Sequence, residues 1–215
     1  MAEQLLNKDV RKQVVEILGN MDGKVKLLLF IKDKDCDFCD TVTSLLSELT
    51  EVAEKVTFEK HNIDSEVAKN YHINDAPAIV LLTPEGKDKG VRFYGIPSGH
   101  EFGTLLQDIV SFSKGALSGI SEESQKKIKE IDKDIDIKVF ITPTCPYCPK
   151  AVITAHNIAM INDKITASMI EANEFKELSL KHGVSSVPHI VINDSVEFVG
   201  AYPEEQFVNE VLKAV

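Results

Sequence analysis

The sequence contains no tryptophan and only four cysteines among its 215 residues, and all four cysteines lie in two CxxC pairs. It lacks an apolar run near the roughly 18 residues that a membrane-spanning helix needs. Its start, "MAEQLLNKDVRKQ", has charged residues within the first ten positions and no apolar signal region, which argues against a secretory leader. Acidic residues outnumber basic ones by 34 to 24, and neither half has a basic face, so nucleic acid is not an expected partner. We therefore expect a cytoplasmic protein with no membrane partner.

The expected compartment bears on what the cysteines do. Structural disulfides are rare in the cytosol, so closely spaced cysteine pairs there indicate catalysis or metal binding. The pairs are Cys36/Cys39 in "KDCDFCDT" and Cys145/Cys148 in "TPTCPYCPK". A disulfide that closes a loop of two residues removes little unfolded-state entropy and is a poor cross-link. The pattern instead favours redox exchange, in which one sulfur attacks a disulfide and the other resolves the mixed disulfide.

The chain contains one pattern twice. Each copy starts with an apolar strand, a CxxC turn and an amphipathic helix, followed by a second strand and a short helix. Next comes a proline that is followed at once by an apolar strand. A last strand and a closing helix then complete the copy. The first cysteine and this proline are 41 residues apart in one copy, from Cys36 to Pro77, and 43 in the other, from Cys145 to Pro188. Agreement over so many features indicates a duplicated β-α-β-α-β-β-α module.

The duplication predicts an α/β fold of two tandem units, each a mixed central sheet flanked by helices, at residues 1–117 and 118–215. An additional helix is expected ahead of each module, at Leu5–Leu18 and at Ser121–Ile131. The last strand of the first module is expected at Val91–Gly95.

A strand that runs through a short turn into a helix is expected to place Cys36 or Cys145 at the helix N-terminus. Unpaired N–H groups and the helix dipole favour a thiolate there. The second cysteine of each pair lies one turn further along the same face. We expect Pro146 to fit the first helical turn and Pro149 to remove one early helical hydrogen bond.

Zinc is the alternative for the cysteines, because two CxxC pairs can form a Cys₄ site. Such sites usually have an interval of about 15–20 residues between the pairs, whereas 105 residues separate Cys39 from Cys145. A non-catalytic zinc scaffold therefore stays the third hypothesis.

None of the six histidines has metal-ligand spacing. His156 is expected to be packed or on the surface, and His189 to be an ordinary strand residue.

These features resemble the thioredoxin/glutaredoxin superfamily. "CPYC" is similar to the glutaredoxin active-site tetrad, and "DAP" and "SVP" are similar to the segments that contain a cis-proline opposite the cysteines. The two-copy arrangement, with CPYC in the second copy, resembles the protein disulfide oxidoreductases of archaea and thermophilic bacteria over nearly the whole chain. A CxxC pair alone is a weak motif, but its repetition after a strand and some 40 residues ahead of a proline is specific.

The resemblance implies catalytic roles for all four cysteines: Cys145 and Cys36 as nucleophiles, Cys148 and Cys39 as resolving thiols.

It further implies that Pro77 and Pro188 are cis. The preceding residues, Ala76 and Val187, would then pair their backbones with an extended substrate peptide. With their prolines they form the predicted substrate-binding set.

The chain also departs from its relative thioredoxin. It lacks the tryptophan that precedes the first cysteine in thioredoxin. Thioredoxin's buried aspartate, six residues ahead of that cysteine, is replaced by Phe30 and Val139, so that proton acceptor is missing.

The resemblance thus implies a protein-disulfide oxidoreductase that reduces, forms or isomerises disulfides in protein substrates. A flavin-dependent reductase of the thioredoxin-reductase type is the expected electron donor. No bound cofactor and no metal are expected, because the sulfurs carry the electrons. The alternative is an electron-relay module between a flavoprotein reductase and a peroxidase.

The two sites are not expected to be equivalent. Asp35, Asp37 and Asp40 lie beside the first pair, and nearby negative charge disfavours a thiolate. We therefore predict a larger thiolate fraction at Cys145 than at Cys36 near neutral pH.

Overall fold

The computed structural model describes residues 4–215. The helices are α1 Lys8–Leu18, α2 Cys39–Val52, α3 Glu66–Asn70, α4 His100–Lys114, α5 Glu122–Lys129, α6 Cys148–Ile161, α7 Lys176–Lys181 and α8 Glu204–Lys213. The strands are β1 Val25–Ile31, β2 Val56–Asn62, β3 Ala78–Leu82, β4 Asp88–Tyr94, β5 Ile135–Ile141, β6 Ile165–Glu171, β7 His189–Ile192 and β8 Val196–Val199. This order reproduces the duplicated β-α-β-α-β-β-α pattern, with α1 and α5 as the additional helices.

The chain forms two compact units. The first consists of Met1–Asp88 and Leu106–Ala116, and the second of Lys89–Leu105 and Leu117–Val215. A boundary after residue 117 would leave 89–105 in the first module, but this segment is compact with the second unit. Within this segment, β4 runs parallel to β6 and is hydrogen-bonded to it.

The first unit is built on β1, which pairs in parallel with β2 and antiparallel with β3. Both β1 and β3 are nearly continuous apolar runs, as expected for strands covered on both faces. The helix α2 contacts β2 and α1 and turns its apolar stripe inward. Large side chains without exposed surface in this core include Leu27, Leu29, Phe30, Leu46, Leu49, Ile79 and Leu81.

A charged contact fixes the start of the chain to α2. The Glu48 carboxylate accepts hydrogen bonds from the N–H groups of Leu5 and Leu6, at 2.8 and 2.9 Å, and pairs with Arg11 at 3.0 Å. The side chain of Asn7 caps the N-terminus of α1. One carboxylate therefore holds both the approach to α1 and its first turn.

The second unit is built on β5, which pairs in parallel with β6 and antiparallel with β7. β6 also pairs in parallel with β4, and β7 pairs antiparallel with β8. Asn193 and Asp194 have φ angles of 50° and 52°, left-handed values that these two residue types tolerate, in the three-residue loop between β7 and β8. At Gly90, with φ of 75°, any Cβ would overlap the Ile165 carbonyl, so only glycine lets β4 lie against β6 here.

Aromatic side chains fill the interior of the second unit. Phe140 on β5 forms a buried cluster with Ile170, Phe175 and Val191. The helix α6 contacts β5 and β6, so this sheet too is mixed and flanked by helices, as predicted. Within residues 4–215, no helix has both the length and the apolar character needed to cross a membrane.

Candidate active site

Each CxxC pair lies between a strand and a helix and is closed as a disulfide. The Cα atoms are 5.5 Å apart in the Cys36–Cys39 pair and also in the Cys145–Cys148 pair, within the usual range for this bond. A Cys₄ zinc site would need four thiolates around one ion, whereas here the sulfurs are bonded in pairs. This chemistry supports the redox interpretation over the zinc interpretation.

The two cysteines of each pair differ in exposure in the same sense. Cys39 and Cys148 are buried, with 4% and 0% of their surface exposed, whereas Cys36 is partly exposed and Cys145 is 8% exposed. The first sulfur of each pair is therefore the one that a second molecule reaches more easily. This difference in exposure fits the predicted roles, in which the first cysteine is the nucleophile and the second is the resolving thiol.

The helices that follow the two CxxC turns begin at the second cysteine and not at the first. Neither α2 nor α6 has a side-chain cap, because Phe38 and Tyr147 occupy the cap positions. Among the other helices, α1, α3 and α5 are capped by Asn7, Ser65 and Ser121, whereas α7 and α8 also lack a side-chain cap. At the start of α2, the Cys39 N–H donates to the Cys36 carbonyl at 3.4 Å.

In the second unit, sulfur takes the place of that cap. The N–H of Cys148 donates to Cys145 Sγ at 3.2 Å.

Pro146 lies in the turn ahead of the helix, so the expectation that it fits the first helical turn was wrong. Pro149 lies at the second helical position, where an N–H has no intrahelical acceptor, so it removes no helical hydrogen bond.

The two predicted cis-prolines are confirmed: the Ala76–Pro77 and Val187–Pro188 bonds are cis. Strand register places both beside the CxxC turns. Phe30 pairs with Ala78 at the end of β1, and Phe140 pairs with His189 at the end of β5. Each proline immediately precedes one of these partners, and each strand runs directly into its cysteine turn.

The second cis-proline segment is held from one side. The carbonyl of Pro188 accepts a hydrogen bond from the Gly200 N–H at 2.9 Å. Val187 is partly exposed, and within residues 4–215 its N–H has no hydrogen-bond acceptor. The backbone edge that a substrate peptide would use is therefore open in this unit.

The first cis-proline segment differs. The Asp75 carboxylate accepts the Ala76 N–H at 2.8 Å and also pairs with Lys32, directly after β1. The backbone edge beside Cys36 is therefore covered by a side chain of the same unit. Asp35, the residue ahead of Cys36, has a φ of 55°, a conformation that aspartate tolerates better than most residues.

A glycine-containing turn supports the CPYC turn in the second unit. The N–H of His100 donates to the Pro143 carbonyl at 3.1 Å. Gly99 has a φ of 58°, and a Cβ at this position would overlap the same carbonyl oxygen. The "GIPSG" segment therefore fits against the chain two residues ahead of Cys145.

Two carboxylates hold the other end of this segment. Glu171 ends β6 opposite Ile141, the last residue of β5, and accepts the Glu174 N–H at 2.6 Å. The Glu174 carboxylate in turn accepts the N–H of Ile96 at 3.1 and 3.2 Å. The pKa of Glu174 is raised to about 7, chiefly by burial. The hydrogen bond from the Ile96 N–H lowers this pKa, and the charge of Glu171 raises it. Burial also raises the pKa of Glu171.

The structure places two of the histidines in packed positions, His156 on α6 and His189 on β7. His156 is fully buried and packs edge-on against Phe93, with ring centroids 5.0 Å apart. His189 begins β7 and packs against Phe140.

Sequence reasoning missed several residues that shape these sites. Asp75, Gly99 and Glu174 contact the CxxC or cis-proline segments or their supports. Their contacts with Lys32, Pro143 and Ile96 join residues that are distant in sequence. The available signals were weak: a charged residue directly ahead of the "AP" dipeptide, and two glycines in one short turn.

Comparison with known proteins gives a consistent result. A family model described as a thioredoxin domain matches residues 135–213. The AhpF component of alkyl hydroperoxide reductase in Staphylococcus aureus is 28% identical over 189 residues, which is 88% of this chain. The chain spans about a third of the length of such curated relatives, 34% in this case.

Solved structures resemble the whole chain. The alkyl hydroperoxide reductase component AhpF of Enterococcus faecalis matches with a TM-score of 0.88 and 30% identity, covering 97% of this chain and 100% of that one. A protein disulfide oxidoreductase from Aeropyrum pernix matches with a TM-score of 0.87 and 29% identity, covering 96% and 92%.

Proposed function

Because the chain belongs to the thioredoxin-fold family with two CxxC sites, we propose that it is a dithiol–disulfide oxidoreductase acting on disulfides in protein substrates. The observation that carries the proposal is the geometry of the second unit. There a more accessible sulfur accepts the first N–H of a helix, next to a cis-proline segment whose backbone edge is open.

The proposed reaction is two successive thiol–disulfide exchanges. The Cys145 thiolate attacks one sulfur of the substrate disulfide, forming a mixed disulfide and releasing the other substrate sulfur as a thiolate, which takes up a proton. Cys148 then loses its proton and attacks Cys145 Sγ. The intramolecular disulfide forms, and the second substrate sulfur leaves as a thiol. Two electrons pass from protein to substrate, and the reverse sequence forms a disulfide.

Electrostatics explains why Cys145 would be the attacking group. The sulfur lies at the positive end of the α6 dipole, and the Cys148 N–H stabilises its negative charge. Cys148 has no exposed surface, so its reaction is directed to the neighbouring sulfur. We propose the same roles for Cys36 and Cys39.

Ala76, Pro77, Val187 and Pro188 are the proposed substrate-binding residues. An extended peptide would lie along the residue ahead of each proline and pair with it as an added strand. Such pairing recognises a backbone conformation more than a side-chain sequence, which suits a protein that accepts several substrates.

The reaction needs a source of electrons. We propose a flavin-dependent reductase of the thioredoxin-reductase type as the donor, and the cytoplasm, where dithiols are kept reduced, as the compartment. The cysteine sulfurs carry both electrons, so no bound cofactor takes part.

Reduction of insulin disulfides by dithiothreitol tests the proposal. Wild type should accelerate insulin precipitation above dithiothreitol alone. Cys145→Ser should lose most of this acceleration, Cys36→Ser a smaller part, and the double variant all of it. A double variant as active as wild type would contradict the proposed function.

A second candidate is an electron relay to a peroxidase. It is favoured by the similarity to the AhpF component of alkyl hydroperoxide reductase over 88% of this chain. The reduced protein would then pass electrons to an oxidised thiol peroxidase at least roughly tenfold faster than to insulin. Rapid acid quench with mass spectrometry of both acceptors measures the two rates. Comparable rates would favour the broader oxidoreductase.

A further inference from the structure

We propose that Asp75 and Lys32 determine substrate choice at the first site by covering the backbone edge at Ala76, so that this site disfavours extended peptide disulfides and accepts small ones. The inference rests on the proposed function, since it assumes that Cys36 and Cys39 exchange electrons with disulfides. It concerns which disulfide reaches them.

The first observation is that the Ala76 N–H is already occupied. Its acceptor is the Asp75 carboxylate at 2.8 Å. A peptide that pairs with this segment as an added strand must use that same N–H. Asp75 therefore has to move before the peptide can bind, whereas a small disulfide needs only the Cys36 sulfur, which is partly exposed.

The second observation is that Asp75 is held in place by a cation. Lys32 directly follows β1 and contacts the same Asp75 oxygen that accepts the Ala76 N–H. The ion pair bridges the strand that leads to Cys36 and the segment that leads to Pro77. With 34% of Lys32 and 50% of Asp75 exposed, the contact lies at the surface, where an arriving peptide can displace it.

The third observation is that the second unit lacks both members of this pair. Strand register defines the equivalents: Phe30 pairs with Ala78, and Phe140 with His189. Counting two residues forward from each phenylalanine makes Thr142 the equivalent of Lys32.

Counting three residues back from Ala78 and from His189 makes Ser186 the equivalent of Asp75. Ser186 is exposed. Within residues 4–215, the Val187 N–H that follows it has no hydrogen-bond acceptor. The two duplicated sites therefore differ at the proposed peptide-binding edge: a side chain covers the backbone N–H in the first unit, and no side chain among the described residues covers it in the second.

The difference assigns distinct substrates to the two units. The second site accepts extended segments of protein chains with a disulfide. The first site favours disulfides that present little backbone, such as small-molecule disulfides.

Two substrates with a common leaving group test this inference. One is bis(2-hydroxyethyl) disulfide. The other is an unstructured ten-residue peptide whose central cysteine is disulfide-bonded to 2-mercaptoethanol. In a Cys145→Ser/Cys148→Ser background only the first site reacts. The readout is the ratio of the second-order rate constants for the peptide and for the small disulfide, from acid quench and mass spectrometry.

Asp75→Ala should raise this ratio roughly fivefold, equivalent to about 1 kcal/mol, the upper range for an exposed ion pair. Lys32→Thr should raise it less, because Asp75 remains but is no longer held. Asp33→Ala is the matched control: it removes the same charge from an exposed residue of the Cys36 turn and should leave the ratio unchanged. High salt should narrow the difference between wild type and Asp75→Ala.

The converse experiment installs the cover in the second unit. In a Cys36→Ser/Cys39→Ser background, Thr142→Lys/Ser186→Asp should lower the ratio by a similar factor. Consumption of both substrates with a ratio unaffected by Asp75→Ala would overturn the inference and leave the proposed function intact. Consumption of neither substrate by the unmodified first site would overturn the inference together with the proposed roles of Cys36 and Cys39, whereas the proposed function of the second site is tested separately by the insulin assay. Circular dichroism of each variant verifies that it is folded.

Discussion

Replacing Glu174 by glutamine should make the protein more stable at alkaline pH and leave it nearly unchanged in acid. Burial raises the pKa of Glu174 to about 7 from an ordinary value of 4.5. Between these two values the folded protein keeps a proton that the unfolded chain has released. Stability therefore falls as the pH rises through this window.

The size of the effect follows from the two pKa values. Each pKa unit corresponds to about 1.4 kcal/mol. Ionised Glu174 thus costs the fold about 3.5 kcal/mol once both states have lost the proton, and about 2.5 kcal/mol of this develops between pH 5 and pH 8. Glutamine carries no charge, and its amide oxygen can still accept the Ile96 N–H that the carboxylate accepts at 3.1 Å.

Urea unfolding followed by circular dichroism at 222 nm measures the difference, since the chain has no tryptophan for fluorescence. The free energy of unfolding of Glu174→Gln minus that of wild type should increase by about 2.5 kcal/mol from pH 5 to pH 8. Glu177→Gln, which changes an exposed carboxylate on α7, is the control and should stay within about 0.5 kcal/mol at both pH values. A Glu174→Gln difference that does not vary with pH would refute the reasoning.

Three further predictions concern the sites and their supports. With one CxxC pair removed at a time, iodoacetamide should alkylate reduced Cys145 several-fold faster than reduced Cys36 at pH 7; equal rates would contradict the predicted asymmetry. Asp35→Asn keeps a residue that tolerates φ of 55° while removing one charge, so it should speed alkylation of Cys36; an unchanged rate would show that this charge is screened. Gly99→Ala should destabilise the protein by roughly 2–4 kcal/mol in thermal unfolding and slow insulin reduction through Cys145, because its Cβ would overlap the Pro143 carbonyl. Gly86→Ala, at φ of 77° with no atom within 4 Å of the added Cβ, should cost only about 1 kcal/mol.

Much of the fold could be predicted because it depends on patterns formed by residues that are close together in the sequence. The apolar runs of β1 and β5, the helical spacing of α2, and the repeated order of elements each depend on neighbouring residues. The cis geometry at Pro77 and Pro188 came from family resemblance, since an isolated X–Pro bond is usually trans.

The rest depends on residues brought together from distant parts of the chain. No residue near β4 in the sequence indicates that this strand pairs with β6. The need for glycine at position 90 is explained only by the Ile165 carbonyl, which lies against it in the folded structure. The contact of Glu174 with Ile96 joins residues 78 positions apart. Cys36 and Cys145 were expected at the helix N-termini, whereas α2 and α6 begin three residues later, at Cys39 and Cys148.

The missing side-chain caps of α2 and α6 have a thermodynamic consequence. An absent cap typically weakens a helix by about 1 kcal/mol, and a thiolate released by reduction would supply the missing negative charge at that end. Opening the bond would then strengthen the helix start while removing only a short cross-link. Whatever stabilises the dithiol in this way makes the corresponding disulfide a stronger oxidant. Phe38 and Tyr147, which lie between the cysteines and occupy the cap positions, are therefore positions through which the reduction potential of each unit can be tuned.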